Sequence, residues 1–266
     1  MLKLKKLCQV AAIAWAMTAA TISAEGKNVS CAAVGYEQAF SSLTKEEVTV
    51  CFFHVPTPPE QAGQLSKDPD SQVVYTTSEL EGPALVYELP YAGTQGKIVD
   101  AFFLNDNVLH DVALVVIHSI DSPRSWDTVG DVFDVSVFRR KGTAFSRDEQ
   151  LSRFFDMGGD RVDAEGRKIY EYPYKNRHSI DSAMASVLFQ GIAGGLTNKG
   201  MVLGKAAVFG GDIEPSGERL ENVYLPKGES VDVLDSVAGW CKVNSSLKSN
   251  STPIWLLCTS LKIDDK

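Results

Sequence analysis

VFDVSVFR, at residues 132–139, is the stretch that decides the fold class of this chain. Phe133, Val135 and Val137 lie on one face of an extended strand, because successive side chains alternate. Asp134 and Ser136 lie on the other face, which predicts a sheet with one side exposed to water. Similar alternating or β-branched runs predict further strands at 48–53, 73–77, 84–89, 97–104, 112–117 and 168–174.

Short helices interrupt these strands. A Ser-Arg-Asp-Glu motif at 146–149 is typical of a capping box and predicts a helix that begins at Ser146 and ends at Gly158-Gly159. A second helix is predicted over 180–189, with Ser179 as its N-cap, and an amphipathic segment at 36–43 predicts a third. We therefore expect an α+β, mostly β fold, in which an antiparallel sheet body carries two or three short helices.

The first 24 residues have the order of a secretory signal peptide. A basic end (1–6) precedes an uncharged run (7–20), and Ile22-Ser23-Ala24 offers small residues for cleavage. The run is shorter than the roughly 20 residues of a membrane span, and an uncleaved anchor is the competing interpretation. We expect a bacterial protein that is periplasmic or secreted, with no membrane insertion after cleavage.

The charge of the remaining chain limits its partners. Residues 25–266 number 266 − 24 = 242, with 26 − 3 = 23 Lys+Arg against 34 Asp+Glu, a balance of 23 − 34 = −11. Such a chain repels nucleic acid and anionic lipid at long range. A basic protein partner, or a basic patch on a partner, fits this charge better than nucleic acid does.

Four cysteines follow the signal segment, and an even number in an oxidising compartment predicts two disulfides. Three connectivities are open. We favour Cys31–Cys51 and Cys241–Cys258, because each pair closes a short local loop. A metal site is the competing interpretation, but no Cys-x-x-Cys or His-rich spacing supports it, and no cofactor is predicted.

A glycine-rich stretch at 191–202 predicts a linker between a body domain (25–190) and a strand-rich tail (203–266). The tail contains Lys227-Gly228-Glu229, then Val231-Asp232-Val233-Leu234, then Gly239-Trp240-Cys241-Lys242-Val243, and finally Trp255. In these motifs the tail resembles a bacterial SH3-like (SH3b) module. Ile254 stands where such modules usually have a glycine before the second tryptophan.

The resemblance implies a small SH3-like β-barrel that recognises peptides, cell-wall fragments or another protein. It makes Trp240 and Trp255 candidate binding residues. The alternative is that the barrel only packs on the body and that both tryptophans belong to the core.

Catalytic signatures are weak. His-Ser-Ile-Asp-Ser occurs at 118–122 and again at 178–182, and we interpret the first copy as a turn and the second as a helix start. A hydrolase that uses His118 or His178 remains an alternative, although no Gly-x-Ser-x-Gly elbow exists. Acidic residues cluster at 156–165, where a solvated turn is a better interpretation than a calcium loop.

The segment Ser122-Pro123-Arg124-Ser125-Trp126-Asp127 joins two predicted strands. Arg124 and Trp126 are candidate contact residues, because Arg and Trp are enriched at interface hot spots and loops often carry function. We therefore expect an exported binding protein without catalytic activity that recognises another protein, as an inhibitor or immunity-type protein does. The alternative is a peptidoglycan-associated protein or hydrolase that the SH3-like module targets to the cell wall.

Overall fold

The structure, a computed structural model, describes residues 31–57, 70–78, 82–93, 96–105, 112–121, 129–163, 165–212, 214–215, 219–245 and 253–264. These residues form three antiparallel sheets and a few short helices, which confirms the α+β, mostly β fold class. The expected signal peptide at 1–24 lies outside them. Within the ranges given above, no helix has the length and apolar character needed to cross a membrane.

The first sheet is a meander in the order β1-β2-β3-β4. Its strands are β1 (Glu37–Lys45), β2 (Val48–Pro56), β3 (Asp70–Ser78) and β4 (Ala84–Glu88). The helix predicted at 36–43 is wrong, since this segment is β1. Two register shifts in the pairing of β1 with β2, around Phe40, interrupt the strict alternation and produce the helix-like pattern.

The second sheet has the order β10-β9-β7-β6-β5, and β8 also pairs with β7. Its strands are β5 (Lys97–Asn105), β6 (Val112–Asp121), β7 (Val129–Lys141), β8 (Ala144–Arg147), β9 (Gly158–Val162) and β10 (Lys168–Tyr170). The first His-Ser-Ile-Asp-Ser copy therefore begins inside β6 and not in a turn. Strand β7, which contains the quoted stretch, joins the largest number of neighbours in this sheet.

Helix α1 (Glu149–Phe155) fills the edge of β7 between β8 and β9. The Ser152 hydroxyl accepts from Val137 N at 3.0 Å and donates to Val137 O at 3.2 Å, so it satisfies backbone groups that no strand pairs. The N-cap is Asp148, whose carboxylate accepts from Leu151 N, and the expected N-cap Ser146 belongs to β8 instead. The helix ends at Asp156, before the expected glycine stop, and Gly158 begins β9.

The first two sheets pack face to face as a sandwich. Strand β1 lies beside β5 and β4 lies beside β8, and the core between the sheets includes Phe52, Leu114 and Phe138. Asp134 and Ser136 lie on this covered face and are 4% and 0% exposed. The expectation of a water-exposed face on β7 is therefore wrong, because the first sheet covers it.

The single helix predicted over 180–189 is two helices, α2 (Arg177–Met184) and α3 (Val187–Ala193). Asn176 caps α2, so Ser179 is not the N-cap but lies in the first turn. Ser186 adopts an extended conformation between the helices, and its hydroxyl accepts from Phe189 N as the cap of α3.

The third sheet has seven strands in the order β13-β12-β16-β15-β14-β11-β17. They are β11 (Asn198–Val202), β12 (Ala206–Phe209), β13 (Arg219–Leu225), β14 (Ser230–Val237), β15 (Trp240–Ser245), β16 (Ile254–Leu257) and β17 (Leu261–Ile263), and a 3₁₀ turn at Cys258–Ser260 precedes β17. The stretch expected as a linker thus contributes α3 and β11. Apolar side chains on one face of this sheet form a core of their own, which includes Val208, Val233 and Leu256.

The other face of the third sheet joins the body at one end. Phe154, Phe155 and Tyr172 of the body share a core with Trp240 and Trp255 of the tail. Backbone and side-chain contacts support this junction: Ala238 N donates to Phe154 O at 3.0 Å, and Arg153 pairs with Asp235 at 2.8 Å. Body and tail are therefore packed around common apolar side chains.

Candidate functional site

The tryptophans predicted to bind ligand lie in the core. Trp240 is 5% exposed and Trp255 is 0% exposed. The Trp240 ring stacks on Tyr170 at 5.1 Å between centroids and meets Phe209 edge-on at 4.7 Å. Trp255 Nε1 donates to Gly211 O at 3.0 Å. Both indoles therefore belong to the core, as the alternative interpretation expected, and they stabilise the fold. Arg124 and Trp126 lie outside the described residues.

A segment of the body packs against Trp240 and its neighbour Gly239. Tyr170 covers the indole and donates its hydroxyl to Ala238 O. Pro173 lies against Gly239, where a Cβ would stand only 2.9 Å from Pro173 Cγ. Gly239 also has φ +84°, a conformation that favours glycine. The body of the chain therefore covers Trp240, one of the two candidate binding tryptophans.

The expected cysteine pairing is present. Cys31 bonds Cys51 with Cα atoms 5.7 Å apart, and Cys241 bonds Cys258 with Cα atoms 5.0 Å apart. The first bridge ties the 3₁₀ turn Cys31–Val34 to the outer side of the first sheet, and the second ties β15 to the 3₁₀ turn before β17. In the described part of the chain, no group of three or more His, Cys, Asp and Glu side chains is arranged to hold a metal ion.

The His-Ser-Ile-Asp-Ser copies lie in different surroundings. His118 is fully buried in β6, whereas His178 is exposed on α2. The Ser119 hydroxyl donates to Asp131 Oδ2 at 2.8 Å, and the Ser179 hydroxyl donates to Asn176 O at 2.7 Å. Ser119 and Ser179 thus donate to groups other than a histidine, which is not the geometry of an activated nucleophile.

The acidic cluster after α1 is held by cations of the same surface. Asp160 accepts from Lys175 at 2.6 Å, and Asp163 accepts from Arg167 at 2.7 Å. Although burial opposes the effect, the hydrogen bonds from Lys175 and from Tyr172 N lower the pKa of Asp160. These ion pairs fit the interpretation of a solvated turn and leave the carboxylates poorly placed for calcium.

A polar row is buried inside the sandwich. Asp134 on β7 stands opposite His118 on β6 in the strand register. The Ser136 hydroxyl donates to Asp134 Oδ2 at 3.1 Å and accepts from Arg147 Nε at 3.2 Å. The Arg147 guanidinium lies 5.3 Å from the ring centre of Tyr87 on the facing sheet. The row therefore reaches the first sheet through Arg147.

Burial dominates the electrostatics of this row. It raises the pKa of Asp134 to about 6, against the opposing effects of the Ser136 hydrogen bond and the Arg147 charge. It also raises the pKa of Tyr87. The Asp134 carboxylate can bind a proton. Asp134 and Ser136 are only 4% and 0% exposed, however, so a substrate cannot reach these two side chains. We therefore interpret the row as a structural feature whose contribution to stability depends on pH.

A groove lies on the outer face of the third sheet. It has a volume of about 320 Å³ and is lined by Lys199, Gly200, Ser230, Val231, Asp232, Asn244, Ser245 and Asp264. Lys199 stands opposite Asp232, which in turn stands opposite Asn244, so one row of polar side chains crosses β11, β14 and β15. We call this surface the outer groove.

Exposed apolar side chains flank the outer groove. Met201 follows Lys199 on the same face of β11, and Leu234 follows Asp232 on the same face of β14. They are 40% and 37% exposed. A polar centre with apolar neighbours is a composition suited to protein contacts.

A scan against protein-family models, a search of curated proteins and a search of solved structures each return no match for this chain.

No motif in the sequence marks the outer groove. Its residues come from β11, β14, β15 and the segment after β17, which are far apart along the chain. One signal was present: the alternation of Val231 and Val233 puts Asp232 on the face away from the core. Only the strand order shows that Lys199 and Asp264 lie on the same side.

Proposed function

We propose that this protein is an exported binding protein without catalytic activity, and that it recognises another protein through the outer face of its third sheet. The observation that carries this proposal is the outer groove, which combines open polar side chains with exposed Met201 and Leu234. The most concrete form is an inhibitor or immunity-type protein that neutralises a toxin delivered to the cell envelope.

Two features support export to the periplasm or the medium. The disulfides are compatible with an oxidising compartment, where such bonds persist. The sequence at 1–24 has the order of a cleavable signal. An acidic, disulfide-braced chain is suited to binding a basic partner outside the cytoplasm.

We also propose that the tail is an SH3-like unit. The order β17-β11-β14-β15-β16, with a 3₁₀ turn between β16 and β17, supports this proposal, because it is the strand order of SH3-like folds. The hairpin β12–β13 then corresponds to a long insertion between the first two strands of the unit. Since Tyr170 covers Trp240 and Pro173 lies against Gly239, we assign binding to the outer groove instead.

Affinity capture tests the proposed function. Residues 25–266, with disulfides formed, are immobilised and exposed to envelope extract, and bound proteins are identified by mass spectrometry. The matched control is the same bait after reduction and alkylation, which retains the composition and loses the fold. We expect one stoichiometric protein on the folded bait alone. Retention of wall fragments only, with cosedimentation of the protein with sacculi, would support the peptidoglycan-associated alternative, and no specific retention would contradict both.

A further inference from the structure

Resting on the proposed function, we propose that the outer groove receives an arginine side chain of the partner protein. The groove crosses three strands, and its two carboxylates, Asp232 and Asp264, are both exposed. The Asn244 side chain adds an amide oxygen on the neighbouring strand. Acceptors thus line one side chain-sized depression from more than one direction.

The geometry of the acceptors favours a guanidinium. Directly opposed residues in an antiparallel pair have Cβ atoms roughly 5 Å apart, so Asp232 and Asn244 present neighbouring acceptors. A planar guanidinium carries five N–H donors and bonds two acceptors at once, whereas an ammonium acts as a point charge. An arginine is therefore the better match to this row.

Apolar side chains beside the groove can contact the methylene groups of an arginine side chain. Met201 and Leu234 lie along the same face as the carboxylates and are partly exposed. The methylene groups of a long basic side chain cover apolar surface while its charged end stays with acceptors. The whole chain carries a formal charge of −8, which attracts a basic partner from a distance.

Lys199 lines the groove and pairs with one of its carboxylates. Its Nζ lies 3.7 Å from Asp232 Oδ1, and its side chain is 79% exposed. Exposed pairs of this kind contribute little to stability, so an arriving guanidinium can displace the ammonium from the carboxylate. Lys199 then competes with the ligand. Its removal should strengthen binding, which is the opposite of what loss of a structural residue predicts.

Peptide titration tests the inference without knowledge of the partner. The probe is acetyl-Leu-Arg-Leu-amide, added to 15N-labelled protein (25–266) while amide chemical shifts are followed by NMR. The control peptide has glutamate in place of arginine. We expect saturable shifts confined to the amides of β11, β14 and β15 with the arginine peptide alone. Shifts spread over the whole acidic surface, or equal shifts with both peptides, would overturn the inference.

Variants make the test sharper. Asp232→Asn with Asp264→Asn should weaken arginine-peptide binding about tenfold, and Lys199→Ala should strengthen it about threefold, because each change alters one exposed charge contact. Glu221→Gln is the matched control, since it removes an exposed carboxylate from β13 of the same sheet. Equal loss of affinity in the control and the double variant would contradict a specific groove.

The same variants separate this inference from the proposed function. If the captured partner binds wild type and the Asp232/Asp264 double variant equally, the arginine site is wrong and the proposed function stands. If no partner is captured, the peptide titration still decides whether the outer groove selects arginine.

Discussion

Replacing Asp134 by asparagine should change the pH dependence of stability in a defined direction. Asp134 is almost fully enclosed between two sheets, and burial raises its pKa from 3.8 to about 6. Asparagine keeps the shape and an oxygen that can accept from Ser136, but it carries no charge. The substitution therefore removes the cost of ionising this side chain inside the sandwich.

The magnitude follows from the pKa. Each pKa unit corresponds to about 1.4 kcal/mol, so a rise from 3.8 to about 6 costs the folded protein about 3 kcal/mol once the side chain is ionised. Between these two values the folded state binds more protons than the unfolded state, so stability falls as pH rises. The contribution of protonated Asp134 is complete below pH 3.8 and is lost as pH passes through about 6.

Urea unfolding at several pH values between about 4.5 and 7.5 measures this effect, with tryptophan fluorescence as the signal. The difference in free energy of unfolding between Asp134→Asn and wild type should move in favour of the variant by about 2 kcal/mol across this range. Asp131→Asn is the matched control, because it removes a carboxylate on the opposite face of β7 that Ser119 and Lys97 contact and that keeps part of its hydration. A difference for Asp134→Asn that stays constant with pH would refute the reasoning.

Three further substitutions test the tail, its junction with the body, and the contact between α1 and β7. Cys241→Ser should lower the free energy of unfolding by about 3 kcal/mol, because its bridge closes a loop of 17 residues, and an unchanged urea midpoint would contradict this role. Gly239→Ala should destabilise by about 1–3 kcal/mol more than Gly228→Ala, since both have positive φ but only Gly239 faces Pro173, and equal losses in thermal melts would refute the contact. Ser152→Ala should cost about 1–3 kcal/mol in chemical denaturation by leaving a buried β7 amide without its acceptor, and a loss below about 0.5 kcal/mol would argue against this bond.

The sequence pattern identified most strands but misjudged their surroundings. Runs such as 48–53 and 112–117 lie within β2 and β6, because β-branched and aromatic residues in short runs fit a pleated sheet. The alternation in β7 correctly separated two faces. It could not reveal that the first sheet covers the face of Asp134, because a polar side chain looks the same in sequence whether water or another sheet lies above it.

Helix ends were less accurate because several residues compete for each cap. Ser146 satisfies the capping-box pattern, yet Asp148 caps α1, since β8 pairs with β7 through Arg147. Ser186 breaks the second predicted helix by accepting from Phe189 N. Local side-chain bonds of this kind are weak compared with strand pairing and burial, so the tertiary fold selects among them.

The fold class, the acidic charge and the favoured cysteine pairing could be predicted from the sequence, because strand alternation, composition and short loop closure are local properties. Long-range packing determines the burial of Trp240, which Tyr170 covers, and the position of the outer groove, which Lys199, Asp232 and Asp264 line. These features depend on which strands become neighbours and on which faces become buried. Both are set by long-range packing of apolar surface, and a single linear pattern does not encode them in any one segment.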